Sequence, residues 1–266
     1  MNEILNLRRF GLLFKKLLFE QPLQTFGLLG IALIGTLLFY QPYSLQNIRY
    51  GDAEQILNFV LFLGGGSLTF FMFSHFSDNA KGYSYLLMPS SYFEKWVCGF
   101  IVVCVLFLGI YLTFFRIVDS TYVNAFHKEL ANTKELSPQT VRSFLREVQI
   151  IRFDSEYFKR SLALFFILTG ATAVGCLYFN KNAFVKIFIG IIAVVWIYIF
   201  MNNGINNYFF KGVHIGTSSF GRVYMMEEGT VTLSKAQWDI VDILFYYCLP
   251  TALWLIALIR LREKEI

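Results

Sequence analysis

The sequence predicts an all-α integral membrane protein with six transmembrane helices, and three observations carry this prediction. The 266-residue chain is 56% hydrophobic and only 15% charged, whereas soluble domains carry about 25% charged residues. Six apolar runs come close to the roughly 20 helical residues that cross a hydrocarbon core of about 30 Å. The runs are apolar on every side and show no polar–apolar alternation, which favours lipid-embedded helices over a soluble core or a membrane barrel.

The predicted spans divide the chain into an interfacial segment, residues 1–22, and a six-helix transmembrane domain, residues 23–266. The spans are approximately Leu23–Tyr40, Ile56–Phe73, Trp96–Phe115, Ser161–Phe179, Ala183–Met201 and Ile240–Ile259. Two elaborated outer loops, residues 116–160 and 202–239, connect the third span to the fourth and the fifth span to the sixth.

The interfacial segment has the pattern of an amphipathic helix that lies in the headgroup plane. At 100° per residue its polar side chains share one narrow face, formed by Asn2, Asn6, Arg9, Lys16 and Glu20. Leucines and phenylalanines occupy much of the remaining surface, as in interfacial helices. Pro22 then marks the bend into the first span. A frayed basic tail is the alternative, and the absence of a small-residue cleavage site argues against a cleavable signal peptide.

The distribution of basic residues predicts the orientation of the spans. Eleven of the 23 lysines and arginines lie in the short segments on the N-terminal side of the membrane: Arg8, Arg9, Lys15, Lys16, Lys81, Lys95, Lys181, Lys186, Arg260, Arg262 and Lys264. Because short basic segments stay in the cytoplasm, this density predicts that both termini are cytoplasmic.

The first outer loop contains a helix start at Ser137-Pro138, followed by apolar residues at helical spacing. These residues are Val141, Phe144, Leu145, Val148 and Ile151. They predict an amphipathic helix that either packs against the bundle or covers the mouth of a pathway.

In the second outer loop, Arg222–Ser234 predicts a hairpin of two short strands around Glu228-Gly229. Asp239 and Asp242 begin the sixth span, where a solvated helix start and an ion site are the two interpretations.

Residues that would carry catalysis are missing from the sequence. Four cysteines (Cys98, Cys104, Cys176 and Cys248) fall inside spans, where a thiol acts as a small apolar filler. Three scattered histidines (His75, His127 and His214) have no metal-ligand spacing. "GVHIGTSSFG" (Gly212–Gly221) has neither the lysine of a phosphate loop nor a nucleophile elbow. We therefore expect no catalytic, cofactor-binding or metal-binding residues and no nucleic-acid partner, and the lack of intramembrane carboxylates disfavours an ion-driven carrier.

The segment Phe76–Trp96 interrupts the apolar runs between the second and third spans. "YSYLLM" (Tyr83–Met88) is too short to span the membrane yet strongly apolar, and Pro89 ends it. Ser91 and Glu94 then form a capping box that starts the third span. A short apolar helix at the inner surface predicts a surface that a partner covers; a helix that dips into the headgroups is the alternative.

This layout resembles the membrane subunits of type-2 ABC exporters. Met1–Gln21 would be the interfacial connector helix, Tyr83–Met88 the coupling helix and Asn180–Asn182 the short inner loop of that family. "LLMPSSYFEKW" (Leu86–Trp96) itself resembles a recurrent stretch in small permease-like proteins near this family. The long outer segment between the third and fourth spans departs from the family pattern.

The resemblance implies a permease subunit of a bacterial-type inner membrane, without ATPase activity or a cofactor of its own. It would pair with a second copy or a sister permease and bind ABC ATPase subunits, which hold the ATP. The ATPase-coupling residues would be Tyr83, Tyr85, Leu86, Leu87, Met88 and Pro89. A non-transporting membrane scaffold or accessory subunit, whose outer loops bind a partner protein, is the alternative. The substrate stays open among lipids, glycans, peptides and drugs.

Small residues in "LGGGSLT" (Leu63–Thr69) and "TGATAVG" (Thr169–Gly175) predict close helix contacts. The helix-packing residues would be Gly64, Gly65, Gly66, Gly170, Ala171 and Gly175. Such contacts serve either static packing, within or between subunits, or relative motion of the helices.

Overall fold

The fold is a bundle of long apolar helices, and a shorter N-terminal helix, Leu7–Glu20, contacts two of them at one end of the bundle. The computed structural model describes residues 6–20, 22–40, 51–74, 76, 90–132, 148–179, 182–209, 215–218, 222–225, 229–231, 240 and 242–265. Within these residues the chain forms seven helices and one three-stranded sheet.

Five of the seven helices have the following bounds: α1 Leu7–Glu20, α2 Pro22–Tyr40, α3 Gly51–Ser74, α5 Glu156–Tyr178 and α6 Ala183–Phe209. The fourth helix, α4, is continuous and consists of Tyr92–Phe100, a π-helical stretch Ile101–Phe107 and Leu108–Asn132. The last helix, α7, begins with the π-helical stretch Leu244–Cys248 and continues as Leu249–Glu265. The end of the bundle that carries α1 is called the α1 end below, and the other is called the far end.

Five helices are long and apolar enough to cross a membrane, so the chain has the build of a multi-pass, all-α membrane protein. They contain the stretches Pro22–Tyr40, Ala53–Ser74, Tyr92–Leu130, Glu156–Tyr178 and Leu244–Lys264. In α6 the apolar stretch that the structure describes is shorter, Ala183–Val194. The predicted fifth span, and with it the total of six, therefore stays a prediction.

Helix α4 continues beyond the predicted third span, Trp96–Phe115, to Asn132. The 39 residues of this helix from Tyr92 to Leu130 extend over roughly 59 Å, about twice the hydrocarbon thickness. Arg116 and Asp119 lie in the part of α4 that follows Phe115. In the structure both side chains have partners, and the helix continues to Asn132.

The predicted amphipathic helix of the first outer loop is wrong at its C-terminal end. Val148 and Ile151 lie in a non-helical segment that leads into α5. Both side chains are nonetheless buried, because the segment lies against α4. Val141, Phe144 and Leu145, the other apolar residues of that prediction, lie outside the described residues.

Helix α5 lies at the centre of the bundle, where it contacts α3, α6 and α7. Its Phe165 ring stacks on Phe107 of α4 at 6.3 Å between centroids, and Phe107 stacks on Tyr111 one turn further along α4. These three side chains are almost completely buried. A layer of aromatic rings thus fills the middle of the bundle, where offset stacking adds to burial.

The glycines of α3 make room for that aromatic layer. A Cβ atom on Gly64 would lie 2.7 Å from Cζ of Phe107, and a Cβ atom on Gly65 would collide with the Phe165 ring. At Gly66 the nearest atom would be 3.8 Å away, which is ordinary contact. Close packing of α3 on two rings therefore depends on Gly64 and Gly65.

The segment between α6 and α7 contains three antiparallel strands in the order β1-β2-β3. Their bounds are β1 Ile215–Ser218, β2 Arg222–Met225 and β3 Gly229–Val231. The register pairs Val223 with Val231 and Thr217 with Val223. The pairing of β2 with β3 agrees with the hairpin predicted in this segment, whereas β1 was not predicted.

Candidate functional site

A buried carboxylate joins two helix N-termini at the α1 end. Glu94, in the first turn of α4, is fully buried. Its Oε1 accepts a hydrogen bond from the backbone N–H of Asn6 at 2.7 Å, and Nη2 of Arg9 lies 3.5 Å from the same oxygen. Asn6 immediately precedes α1. Because helix N-termini carry partial positive charge, one carboxylate favours both helices.

The second oxygen of Glu94 completes the capping box at the start of α4. Oε2 accepts from the backbone N–H of Ser91 at 3.1 Å, and Oγ of Ser91 accepts from the backbone N–H of Glu94 at 3.2 Å. This confirms the capping box that the spacing of Ser91 and Glu94 predicts. The contact with Asn6 was not predicted, because nothing in the local pattern indicates a partner 88 positions away.

The same end of α4 is tied to α7 by tryptophan contacts. Nε1 of Trp96 donates to the backbone carbonyl of Trp254 at 3.1 Å, and the Phe100 ring meets the Trp254 ring edge-on at 4.9 Å. Further toward the α1 end, Nζ of Lys264 donates to the carbonyl of Phe76 at 2.8 Å. We call the group Asn6, Arg9, Ser91, Glu94, Trp96 and Trp254 the α1-end junction.

The predicted ATPase-coupling residues lie outside the described residues. These are Tyr83, Tyr85, Leu86, Leu87, Met88 and Pro89. Covalently, Pro89 is followed by Ser90 and by Ser91 of the capping box. The segment is therefore attached directly to the α1-end junction.

At the far end, two charged side chains of α4 bind the backbone carbonyl and the backbone N–H of Ile151. Nη1 of Arg116 donates to the carbonyl of Ile151 at 2.6 Å, and Oδ2 of Asp119 accepts from its N–H at 2.8 Å. Asp119 is 1% exposed, and its Oδ1 accepts from the Tyr40 hydroxyl at 3.2 Å. The Arg116 guanidinium also lies 5.3 Å from the centroid of the Phe153 ring. We call this arrangement the far-end clamp.

Neighbouring contacts extend the far-end clamp along the segment before α5. Nε2 of His127 lies 2.8 Å from the carbonyl oxygen of Val148. Arg152 and Asp154 form a solvent-exposed ion pair at 2.9 Å, and the hydrogen bond from Arg152 lowers the pKa of the Asp154 carboxyl. Ser155 then caps α5 by accepting from the N–H of Phe158.

An apolar cleft of about 640 Å³ lies between α5 and α6. It runs from Phe62 and Leu253 toward the α1 end, where Tyr178, Phe179 and Lys186 line it. The two helices meet at Gly175, whose absent side chain leaves room for Ile187. Beyond that contact α6 presents large exposed apolar side chains, including Phe188, Ile189 and Trp196.

The predicted packing residues of α5 contact other helices of the same chain. Gly170 lies against α7, where an added Cβ would be 2.9 Å from Cβ of Leu253. Gly175 lies against Ile187 of α6, and Ala171 lines the cleft. Gly170 and Gly175 are buried in these contacts, so neither presents a surface for a second subunit.

Groups that would support metal or disulfide chemistry are absent from the part of the chain that the structure describes. No three His, Cys, Asp or Glu side chains there are grouped closely enough to hold a metal ion. All four cysteines are free thiols; Cys98, Cys104 and Cys176 are buried and Cys248 is exposed. Of the two aspartates at the predicted start of the sixth span, Asp242 is exposed and Asp239 lies outside the described residues.

In comparisons with known proteins, the chain matches no family model, no curated protein and no solved structure.

Proposed function

We propose that this chain is the membrane-spanning permease subunit of an ABC exporter, coupled to ATP hydrolysis by a separate ATPase subunit. The observation that carries the proposal is the α1-end junction. The apolar segment Tyr83–Met88 leads directly into it, and Glu94 links the start of α4 to α1. Trp96 links the same turn to α7. A force applied to the segment would therefore reach three helices at once.

In this proposal the chain has six spans, with α6 as the fifth, and both termini are cytoplasmic in a bacterial-type inner membrane. The α1 end would face the cytoplasm, and the far-end clamp would lie near the outer surface. Two permease chains, either identical or sister chains, would bind two ATPase subunits. The chain itself would bind no nucleotide and hydrolyse none.

The orientation has its own test by cysteine labelling in intact cells. In a Cys248→Ser background, which removes the exposed native thiol, we expect cysteines at Glu135 and Glu228 to react with an impermeant thiol reagent. A cysteine at Asn182, in the turn before α6, should not react. Labelling at Asn182 without labelling at Glu135 would reverse the orientation and remove the coupling assignment.

A membrane scaffold or accessory subunit is the second candidate, favoured by the far-end clamp. Arg116 and Asp119 bind the backbone of Ile151 and so fix a non-helical segment before α5, and a segment fixed in this way could serve as a rigid docking surface. Affinity purification of the tagged full chain from its native membrane distinguishes the two functions. An ABC ATPase recovered in stoichiometric amount supports the exporter, and its reproducible absence supports the scaffold.

A further inference from the structure

We propose that the cleft between α5 and α6 binds an anionic phospholipid, with an acyl chain in the cleft and the phosphate at Lys186 and Arg260. The site would lie on the side of the bundle that faces the bilayer and would be filled from the leaflet at the α1 end. It needs no ATPase, so it does not depend on the proposed function.

The lining of the cleft is suited to hydrocarbon. Among its described lining residues, only Tyr178 and Lys186 carry polar side-chain atoms. Its volume of about 640 Å³ falls within the roughly 300–1,000 Å³ that is usual for ligand pockets. Apolar cavities of this kind accept apolar ligands and do not hold ordered water.

Two cations stand at the α1 end of this cleft, each placed over an aromatic ring. Nζ of Lys186 is 5.3 Å from the centroid of Phe179, and Cζ of Arg260 is 4.5 Å from the centroid of Tyr178. Tyr178 and Phe179 are consecutive, and both line the cleft. Cation–π contacts of this length favour the charged groups where they stand.

The charge of Lys186 is not neutralised within the described part of the chain. Arg260 binds Glu263 through Nη1 at 2.6 Å, while its buried Nε has no hydrogen-bond partner. Lys186 forms no ion pair with any described residue. Lys186 therefore lacks a counter-ion among the described residues, and a phosphate would supply one, while the partly exposed guanidinium of Arg260 beside Tyr178 adds positive charge.

Only a molecule with both an apolar chain and an anionic head matches the whole site. A free phosphate ion would satisfy Lys186 and Arg260 but leave the apolar walls uncovered. An apolar helix from a second copy would cover the walls but leave Lys186 without an anionic partner. A phospholipid supplies both parts, and basic residues near the membrane surface favour anionic headgroups over zwitterionic ones.

The test uses the full chain, purified in detergent and delipidated, with phosphatidylglycerol or phosphatidylcholine of identical acyl chains added back. Retained lipid is counted by native mass spectrometry, and the melting temperature is measured in parallel. We expect phosphatidylglycerol to be retained at least about fivefold more tightly than phosphatidylcholine. Lys186→Gln and Arg260→Gln should each reduce this preference, whereas Lys159→Gln, an exposed lysine at the other end of α5, should not.

A second pair of variants tests the apolar half of the site. Ala171 lines the cleft, so Ala171→Phe should fill it and lower retention of both lipids, while Ala171→Ser should retain them. If Ala171→Phe has a much lower melting temperature than the wild type in the absence of lipid, its loss of lipid retention does not test the cleft. The retention of lipid by the folded Lys186→Gln variant then decides the outcome. Equal retention of both lipids, unchanged retention in Lys186→Gln, or equal stabilisation by inorganic phosphate alone would overturn the proposal. The proposal would also be overturned if the protein is a dimer that binds lipid only after it dissociates, because a second copy would then be the occupant of the cleft.

Discussion

Oε1 of Glu94 accepts the backbone N–H of Asn6 at 2.7 Å, across 88 positions of the sequence. This hydrogen bond attaches the start of α1 to the first turn of α4. Since the carboxylate also accepts from Ser91, a single buried side chain satisfies backbone donors at two helix starts. Glu94 therefore holds the start of α1 against the start of α4, while Leu13 of α1 is buried in the core.

The first prediction removes the negative charge of Glu94 while keeping its shape. Glu94→Gln should lower the free energy of unfolding by about 2–3 kcal/mol. A charged acceptor is lost, and the buried N–H₂ group of the amide cannot accept the hydrogen bonds of the backbone N–H groups that it faces. Thermal unfolding in detergent, followed by circular dichroism, measures the loss.

The matched control is Glu156→Gln in the first turn of α5. That carboxylate is exposed and pairs with Arg160 at 3.7 Å in an i,i+4 arrangement, which is worth about 0.3–0.5 kcal/mol. Equal effects of the two substitutions would mean that Glu94 contributes no more than a surface carboxylate does.

The second prediction concerns the far-end clamp. Asp119→Ala removes the acceptor of the Ile151 N–H and of the Tyr40 hydroxyl. We expect the free energy of local opening of the segment before α5 to fall by about 2 kcal/mol. Amide exchange at Ile151 should then be roughly 30-fold faster. Hydrogen–deuterium exchange in detergent measures it. Asp154→Ala, at a fully exposed carboxylate on the same segment, should leave the exchange at Ile151 unchanged.

The third prediction separates packing within the chain from packing between chains. Gly175→Leu places a side chain where Ile187 now lies, so the free energy of unfolding should fall by about 3 kcal/mol through overpacking. Ile187→Ala in the same chain should restore part of this loss. Gly109→Ala, where an added Cβ meets nothing within 4 Å, is the neutral control.

Because the contact between Gly175 and Ile187 lies within one chain, we expect the oligomer size of Gly175→Leu in detergent to equal that of the wild type. A smaller oligomer would contradict this.

Sequence patterns predicted those features whose causes are local. Apolar runs located two helices that are long and apolar enough to cross a membrane, α2 and α5, to within a few residues, and the spacing of Ser91 and Glu94 predicted the cap of α4. The continuation of α4 beyond Phe115 was not predicted, because Ile151, the partner that Arg116 and Asp119 share, is distant in sequence. The bond from Asn6 to Glu94 and the cleft beside Lys186 were missed for the same reason: both depend on how helices pack.

The last prediction concerns the segment that interrupts the apolar runs. If Leu86 and Leu87 are anchors in a groove of the ATPase, replacing both by serine should detach the ATPase or uncouple its hydrolysis. Large apolar anchors at such interfaces each cost about 2 kcal/mol or more when truncated. The chain itself should still insert and melt as the wild type does. Pull-down of the ATPase, together with a melting curve of this chain alone, measures both quantities.

The matched control replaces two leucines of α1, Leu7 and Leu12, which are 79% and 64% exposed. If α1 is an interfacial helix, replacing these two leucines by serine should weaken its contact with the membrane and leave ATPase binding intact. If the variant with serine at positions 86 and 87 behaves in that same way, with a lower melting temperature and unaltered binding, the segment serves the membrane. The exporter proposal would then lose its mechanical link, because the α1-end junction would receive no force from an ATPase.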